Sequence, residues 1–123
     1  MPKILVIDDD DGVRLLVREI LIDAGYIVRT ARNGRNALKI LNRNHFDLII
    51  TDVVMPEMDG LEVIQEVLKN DPEMKIIAIS GGGYWLPSDE CLTVSGILGA
   101  CRTLTKPFGI ELLLGEIRSV LTS

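Results

Sequence analysis

The aspartates of this chain stand where its apolar runs stop. Ile4-Leu5-Val6-Ile7 leads straight into Asp8-Asp9-Asp10-Asp11, and Leu48-Ile49-Ile50-Thr51 into Asp52. A third run, Ile76-Ile77-Ala78-Ile79, ends on Ser80-Gly81, and a fourth, Arg102 to Thr105, ends on Lys106-Pro107. If these runs are strands of one open parallel sheet, their carboxyl ends share an edge, and ligands bind in the crevice there. Like charges gathered at such an edge repel. At about 4 Å and an effective dielectric near 20, each pair costs roughly 4 kcal/mol, so the cluster either holds a proton or takes up a cation. Oxygen donors alone match magnesium. The sole histidine, His45, reads as a surface or loop residue before the third strand, and no thiolate stands in a metal-ligand spacing. Lys106 brings the opposite charge, Ser80 a hydroxyl donor, and Gly81 room for close backbone approach. A phosphoryl group seated among cation, lysine, hydroxyl and amide has its charge met on every side. Asp52, a lone carboxylate ending a central strand, is then the candidate nucleophile.

Elements that position these residues are readable from hydrophobic period. Strands are expected near residues 3–7, 27–31, 47–51, 75–79 and 102–105. Continuous aliphatic runs mark the first, third and fourth as buried, while the alternating Ile27-Val28-Arg29-Thr30-Ala31 suits an edge. Between them, helical spacing links Val13, Leu16, Val17, Ile20 and Leu21; Ala37, Leu38 and Leu41; Leu61, Val63, Ile64, Val67 and Leu68; and Leu112, Leu113, Ile117 and Leu121. Gly25 closes the first helix and Asn70-Asp71-Pro72 stops the third. A glycine-rich connection at residues 81–87 precedes a weak helix beginning near Ser88 or Asp89. Strands alternating with helices predict a doubly wound α/β sheet of about five strands.

Composition bounds the rest. The chain has 123 residues, which by length is one domain, 1–123. Hydrophobic residues make up 47%, which excludes general disorder. A net charge of -5 argues against nucleic-acid binding by bulk charge. Cys91 and Cys101 form neither a metal spacing nor a redox pair and read as reduced thiols. No apolar run approaches about 18 residues, and no signal peptide is evident. A soluble, cytoplasmic protein with no membrane partner is expected.

Four segments together resemble the receiver domain of two-component response regulators. They are Ile4 through Asp10, Asp52-Val53-Val54-Met55-Pro56-Glu57-Met58-Asp59-Gly60, Ile79-Ser80-Gly81, and Thr105-Lys106-Pro107-Phe108. The resemblance runs from end to end of the chain. It implies a flavodoxin-like (βα)5 fold with strand order 2-1-3-4-5. It also implies that Asp52 is the phosphoacceptor, taking its phosphoryl group from a histidine kinase or phosphotransfer protein. Asp8, Asp9, Asp52 and the backbone carbonyl of Val54 would hold Mg2+, with Asp9 a direct ligand and Asp8 acting through water. Lys106, Ser80 and Gly81 would receive the phosphoryl oxygens, and the bond before Pro107 would be cis. Phosphorylation would bias a two-state equilibrium and change the face built from the fourth helix, fifth strand and fifth helix. The domain phosphorylates itself from its donor but is not a turnover enzyme.

Departures from the family pattern matter. Where receivers usually carry an aromatic switch residue, three before the lysine, this chain has Thr103. Tyr84, Trp85 and the glycine-rich loop are the expected substitute for that ring. Two residues beyond Asp52 and Ser80 stand Val54 and Gly82, neither able to orient water by side chain, so slow self-dephosphorylation is expected. The main alternative is a phosphorylation-independent receiver used as a protein-binding module. A haloacid-dehalogenase-type phosphatase would need more chain and a nucleophile on the first strand. A flavodoxin-type cofactor domain would not place four acids where phosphate is cradled. The sequence names no kinase and no downstream target. Nor does it decide between a stand-alone regulator, a relay intermediate and a domain of a longer protein, or between monomer and weak homodimer.

Overall fold

The computed structural model describes residues 1–52, 60–80, 102–105 and 108–122, with Gly60, Leu61, Ser80, Thr103 and Thr105 described by backbone alone. Its elements run β1 (Lys3–Ile7), α1 (Asp11–Asp23), β2 (Ile27–Ala31), α2 (Gly34–Leu41), β3 (Leu48–Asp52), α3 (Gly60–Asn70), β4 (Ile76–Ser80), β5 (Arg102–Thr105) and α4 (Ile110–Leu121). The last of these is the fifth helix of the sequence reading. The expected helix near Ser88 falls outside the described residues, as do Tyr84, Trp85 and both cysteines.

All ladders are parallel, in the order β2-β1-β3-β4-β5. The strand expected at an edge, β2, is at one, and its exposed and half-buried residues fit that place. Period-two alternation divides each aliphatic run between two cores. Leu5, Ile7, Ile49, Ile76 and Ala78 face one way and pack with Ala37 of α2 and Val63, Ile64 and Val67 of α3. Ile4, Val6, Leu48, Ile50, Ile77 and Ile79 face the other way and pack with Val17 and Leu21 of α1 and Leu113, Ile117 and Val120 of α4. Helices thus cover both faces, which is why the strands read as unbroken apolar runs. Each fully buried Ile or Leu contributes about 1.5–3 kcal/mol of transfer free energy.

Boundaries and core membership differ from the sequence reading in particular places. The third and fourth strands lie one residue later than expected, at 48–52 and 76–80. Hydropathy falls at Thr51, but pairing continues, because Asp52 is still opposite Ile79 in the β3–β4 ladder. Leu16 is 60% exposed and Leu112 52% exposed, so neither joins the core. Both share helical spacing with buried neighbours but lie at the outer margin of the stripe. Phe46, in the connection before β3, is buried beneath α2 and α3, and the Lys3 ammonium sits 5.0 Å from its ring centroid.

The turn from α1 to β2 is a complete C-terminal cap. Gly25 has φ 96, its N–H donates to the Ile22 carbonyl at 3.0 Å, and the Tyr26 N–H donates to Leu21 at 3.1 Å. This is the Schellman pattern, with Tyr26 packed against the core that holds Leu21. It reverses the chain and delivers β2 beside β1.

Candidate metal centre

Two carboxylates arrive at the carboxyl edge of the sheet on adjacent strands. Pairing of β1 with β3 runs from Ile4↔Leu48 to Ile7↔Thr51, so Asp8 and Asp52 each follow a member of its last pair. Asp9 comes next in the chain. One oxygen of each of Asp8, Asp9 and Asp52 lies within 4.8 Å of the other two. Asp8 is only 3% exposed and Asp52 only 7%, while Asp9 faces solvent.

The acidic run of residues 8–11 divides into separate tasks. Asp8 is fixed on three sides. Its N–H donates to the Ala31 carbonyl at 3.2 Å, its Oδ1 accepts from the Asp10 N–H at 2.9 Å, and its carbonyl accepts from Arg14 Nη1 at 2.9 Å. Asp10 is the N-cap of α1, with Oδ1 accepting from the Val13 N–H at 3.1 Å. Asp11 opens the helix, where its charge suits the dipole, and pairs with Arg14. Half of the run is therefore helix architecture, and half belongs to the cluster.

Two supporting residues escape the sequence reading. Arg14, with a side chain 13% exposed, spans the Asp8 carbonyl and the Asp11 carboxylate with its two terminal nitrogens. Its signal was available: a cation in the first turn of a helix opposes the macrodipole and needs a local reason. Thr51 is fully buried, and its hydroxyl donates to the Asp52 carbonyl at 2.9 Å. Nothing in its type or spacing distinguished it from an ordinary strand threonine.

The donor set fits a hard divalent cation. Around an octahedral magnesium, with bonds of about 2.1 Å, ligand oxygens stand no more than roughly 4.2 Å apart. The three donors, all within 4.8 Å of one another, stand close to that limit. A cation held there meets two nearly buried carboxylates whose mutual repulsion it removes. Of the other expected site residues, Ser80 ends β4, one position beyond Ile79, the partner of Asp52. Thr103 is opposite Ala78 in β5. Val54, Gly81, Lys106 and Pro107 lie outside the described residues.

With that geometry in place, the likeness to known proteins is specific. Residues 4–118 match the family model described as the response regulator receiver domain. The chain is 35% identical over 121 residues to the response regulator receiver protein CpdR of Brucella abortus, covering 98% of each. It is 31% identical to sporulation initiation phosphotransferase F of Bacillus subtilis, covering 97% of this chain and 93% of that protein. Other relatives are longer, and the chain spans 47% of the probable transcriptional regulator ycf27 of Porphyra purpurea. Among solved structures, the chemotaxis protein CheY4 of Vibrio cholerae superposes with a TM-score of 0.88 at 36% identity, covering 98% of both chains. The response regulator protein TrrA of Thermotoga maritima, solved in complex with Mg(2+)-BeF, gives 0.86 at 33% identity over 98% of this chain and 99% of that one.

Proposed function

The chain belongs to the response regulator receiver family, and we propose on that basis that Asp52 is its phosphoacceptor. Receiver domains are signalling modules that take a phosphoryl group from histidine kinases or phosphotransfer proteins. The observation that carries the reading here is the triad of Asp8, Asp9 and Asp52 oxygens at the carboxyl edge of β1 and β3.

In the proposed reaction, an Asp52 carboxylate oxygen attacks the phosphorus of a phosphohistidine in line. The P–O bond forms as the P–N bond breaks, and the imidazole leaves with the electron pair of that bond. Asp8 and Asp9 hold Mg2+ together with Asp52, and the Val54 carbonyl adds a backbone ligand. When bound, the ion neutralises charge on the transferring oxygens. Asp8 is immobilised before any ligand arrives, because its N–H, carboxylate and carbonyl are each engaged. That preorganisation spares the site an ordering cost. Ser80, Gly81 and Lys106 take the phosphoryl oxygens, Pro107 follows a cis bond, and the switch reaches the face of the expected fourth helix, β5 and α4. A receiver filling 1–123 with a complete (βα)5 repeat, acting in the cytoplasm, is part of the same proposal.

A second reading rests on Thr103, which stands where the family's switch aromatic belongs: a receiver that binds its partner without phosphorylation. One experiment separates the two. Acetyl phosphate with Mg2+ should label the wild-type chain and not Asp52→Asn, and chelation should stop the labelling. An unlabelled wild-type chain under conditions that label another receiver would leave the second reading.

A further inference from the structure

An acidic chain carries one stretch from which acids are missing. Of 13 basic residues, Arg29, Arg32, Arg35, Lys39 and Arg43 lie between Asp23 and Asp47, and no Asp or Glu does, leaving eight basic residues against 18 acidic ones elsewhere. All five side chains are exposed. None takes part in an ion pair among the described residues, where the pairs found belong to Arg14, Arg18 and Arg102.

Their placement is ordered. Arg35, Lys39 and Arg43 recur every fourth residue along α2 and the turn after it, a cationic stripe with about 6 Å between neighbours. Arg29 lies beside it on β2, and opposite Leu5 in the β1–β2 register it shares the sheet face that α2 covers. Arg29, Lys39 and Arg43, with Ile40, Asn42 and Asn44, surround a surface depression of about 550 Å³. Like charges one turn apart on a helix cost roughly 0.2–0.5 kcal/mol per pair, and among the described residues no acid pairs with them. Edge protection accounts for a cation on β2. It does not account for the stripe on α2.

We propose that the α2–β2 face docks an acidic segment of a partner protein, with carboxylates spaced one helical turn apart. Such a segment matches the stripe in sign and in period. An extended polyanion fits poorly, because beyond the patch it meets a surface dominated by acids. Residues 29–43 also include no aromatic on which a base can stack. Membrane adsorption needs a band of exposed apolar residues beside the cations, whereas Leu38, Ile40 and Leu41 are turned at least partly inward and Ile27 on β2, 47% exposed, makes no such band. This face does not include the Asp8–Asp9–Asp52 cluster, and the inference stands or falls independently of phosphotransfer.

The test uses the full chain and a fluorescein-labelled alanine-based peptide with glutamates one helical turn apart. Its glutamine counterpart, single-stranded DNA and phosphatidylserine vesicles serve as competing probes. The glutamate peptide should bind with amide shifts confined to β2 and α2, and weaken about tenfold between roughly 50 and 200 mM salt. Arg35→Gln/Lys39→Gln/Arg43→Gln should lose at least about tenfold in affinity while keeping the wild-type helical circular dichroism and Mg2+ response. Equal binding by the glutamine peptide, undiminished binding by the triple variant, or tighter binding of DNA or vesicles would each overturn the proposal. If the triple variant unfolds, Arg35→Gln and Arg43→Gln singly carry the test, each with a several-fold loss expected.

Discussion

Asp8 and Asp52 stand together because each is the residue after a member of the Ile7↔Thr51 pair. Parallel register, rather than any loop, carries both carboxylates to one edge, and both are nearly buried there. A one-residue slip of β3 against β1 would separate them and turn every aliphatic side chain of the strand to the wrong core. The packing that stabilises the sheet therefore also sets the geometry of the acidic site. The site's repulsion is carried by a core that is complete without it.

That repulsion predicts an inverse relation between metal-free stability and metal response. Asp9→Asn removes a charge from the triad at its exposed corner, so the variant should melt a few degrees higher than wild type in chelator. Wild type should gain stability on adding Mg2+, by about 2.7 kcal/mol at a hundredfold excess over the dissociation constant. Asp9→Asn should gain much less. Thermal melts with chelator and across a Mg2+ series measure both. A variant that melts lower in chelator, or that responds fully to Mg2+, would contradict this account.

Arg14 should influence cation binding without touching the cation. Its fork fixes the Asp8 carbonyl and is anchored by Asp11. Replacing a residue that orients a ligand commonly weakens metal affinity by about 10- to 100-fold. Arg14→Ala is expected at the lower end of that range, with a stability loss of about 1.5–3 kcal/mol for a charged hydrogen bond. Arg14→Lys separates charge from geometry, since an ammonium keeps the charge but not the planar fork. Lysine should behave like alanine in Mg2+ titrations followed by calorimetry. Full restoration by lysine would show that charge alone matters.

Gly25 tests the turn that brings β2 to the sheet. An added Cβ meets nothing within 4 Å, but φ of 96 lies where side chains are strained. Gly25→Ala should therefore cost about 1–2 kcal/mol through backbone conformation alone, read as a lower denaturant midpoint with unchanged slope. Gly115→Ala, inside α4, is the contrasting control: an added Cβ meets only the Arg118 Nη2 at 3.9 Å, and a helix interior favours alanine over glycine. Equal losses from both substitutions would point to something other than the left-handed turn.

The sequence disclosed what depends on period and punctuation. Buried β1, β3 and β4 were visible as unbroken aliphatic runs, and the edge position of β2 as alternation, because sheet burial writes directly into hydropathy. Asp8, Asp9 and Asp52 were visible because they end such runs. Other features were set by the third dimension. Leu16 and Leu112 share helical spacing with buried neighbours, and only the direction of the packing partner separates margin from centre. Phe46 lies in a connection without period, yet it fills the core beneath α2 and α3. Asp10 and Asp11 continue the same acidic run as Asp8 and Asp9, and only cap geometry shows that they serve α1. Thr51 gave no sign that its hydroxyl would secure the Asp52 carbonyl.

A phosphorylated state of this chain should be long-lived. The resemblance places Val54 and Gly82 at the two positions whose side chains guide attacking water, and neither offers a hydrogen-bonding side chain. Water then has to find its line of attack without positioning, which forfeits part of the advantage that oriented reactants enjoy. Self-dephosphorylation should be slow, with a half-life of many minutes or longer. Introducing a polar side chain by Val54→Asn should shorten it severalfold while leaving uptake of the phosphoryl group intact. The measurement is the decay of labelled phosphoprotein with no phosphatase present. Decay within seconds in the wild-type chain would mean that water is oriented by some other group, and a Val54→Asn variant as slow as wild type would remove this position from the explanation.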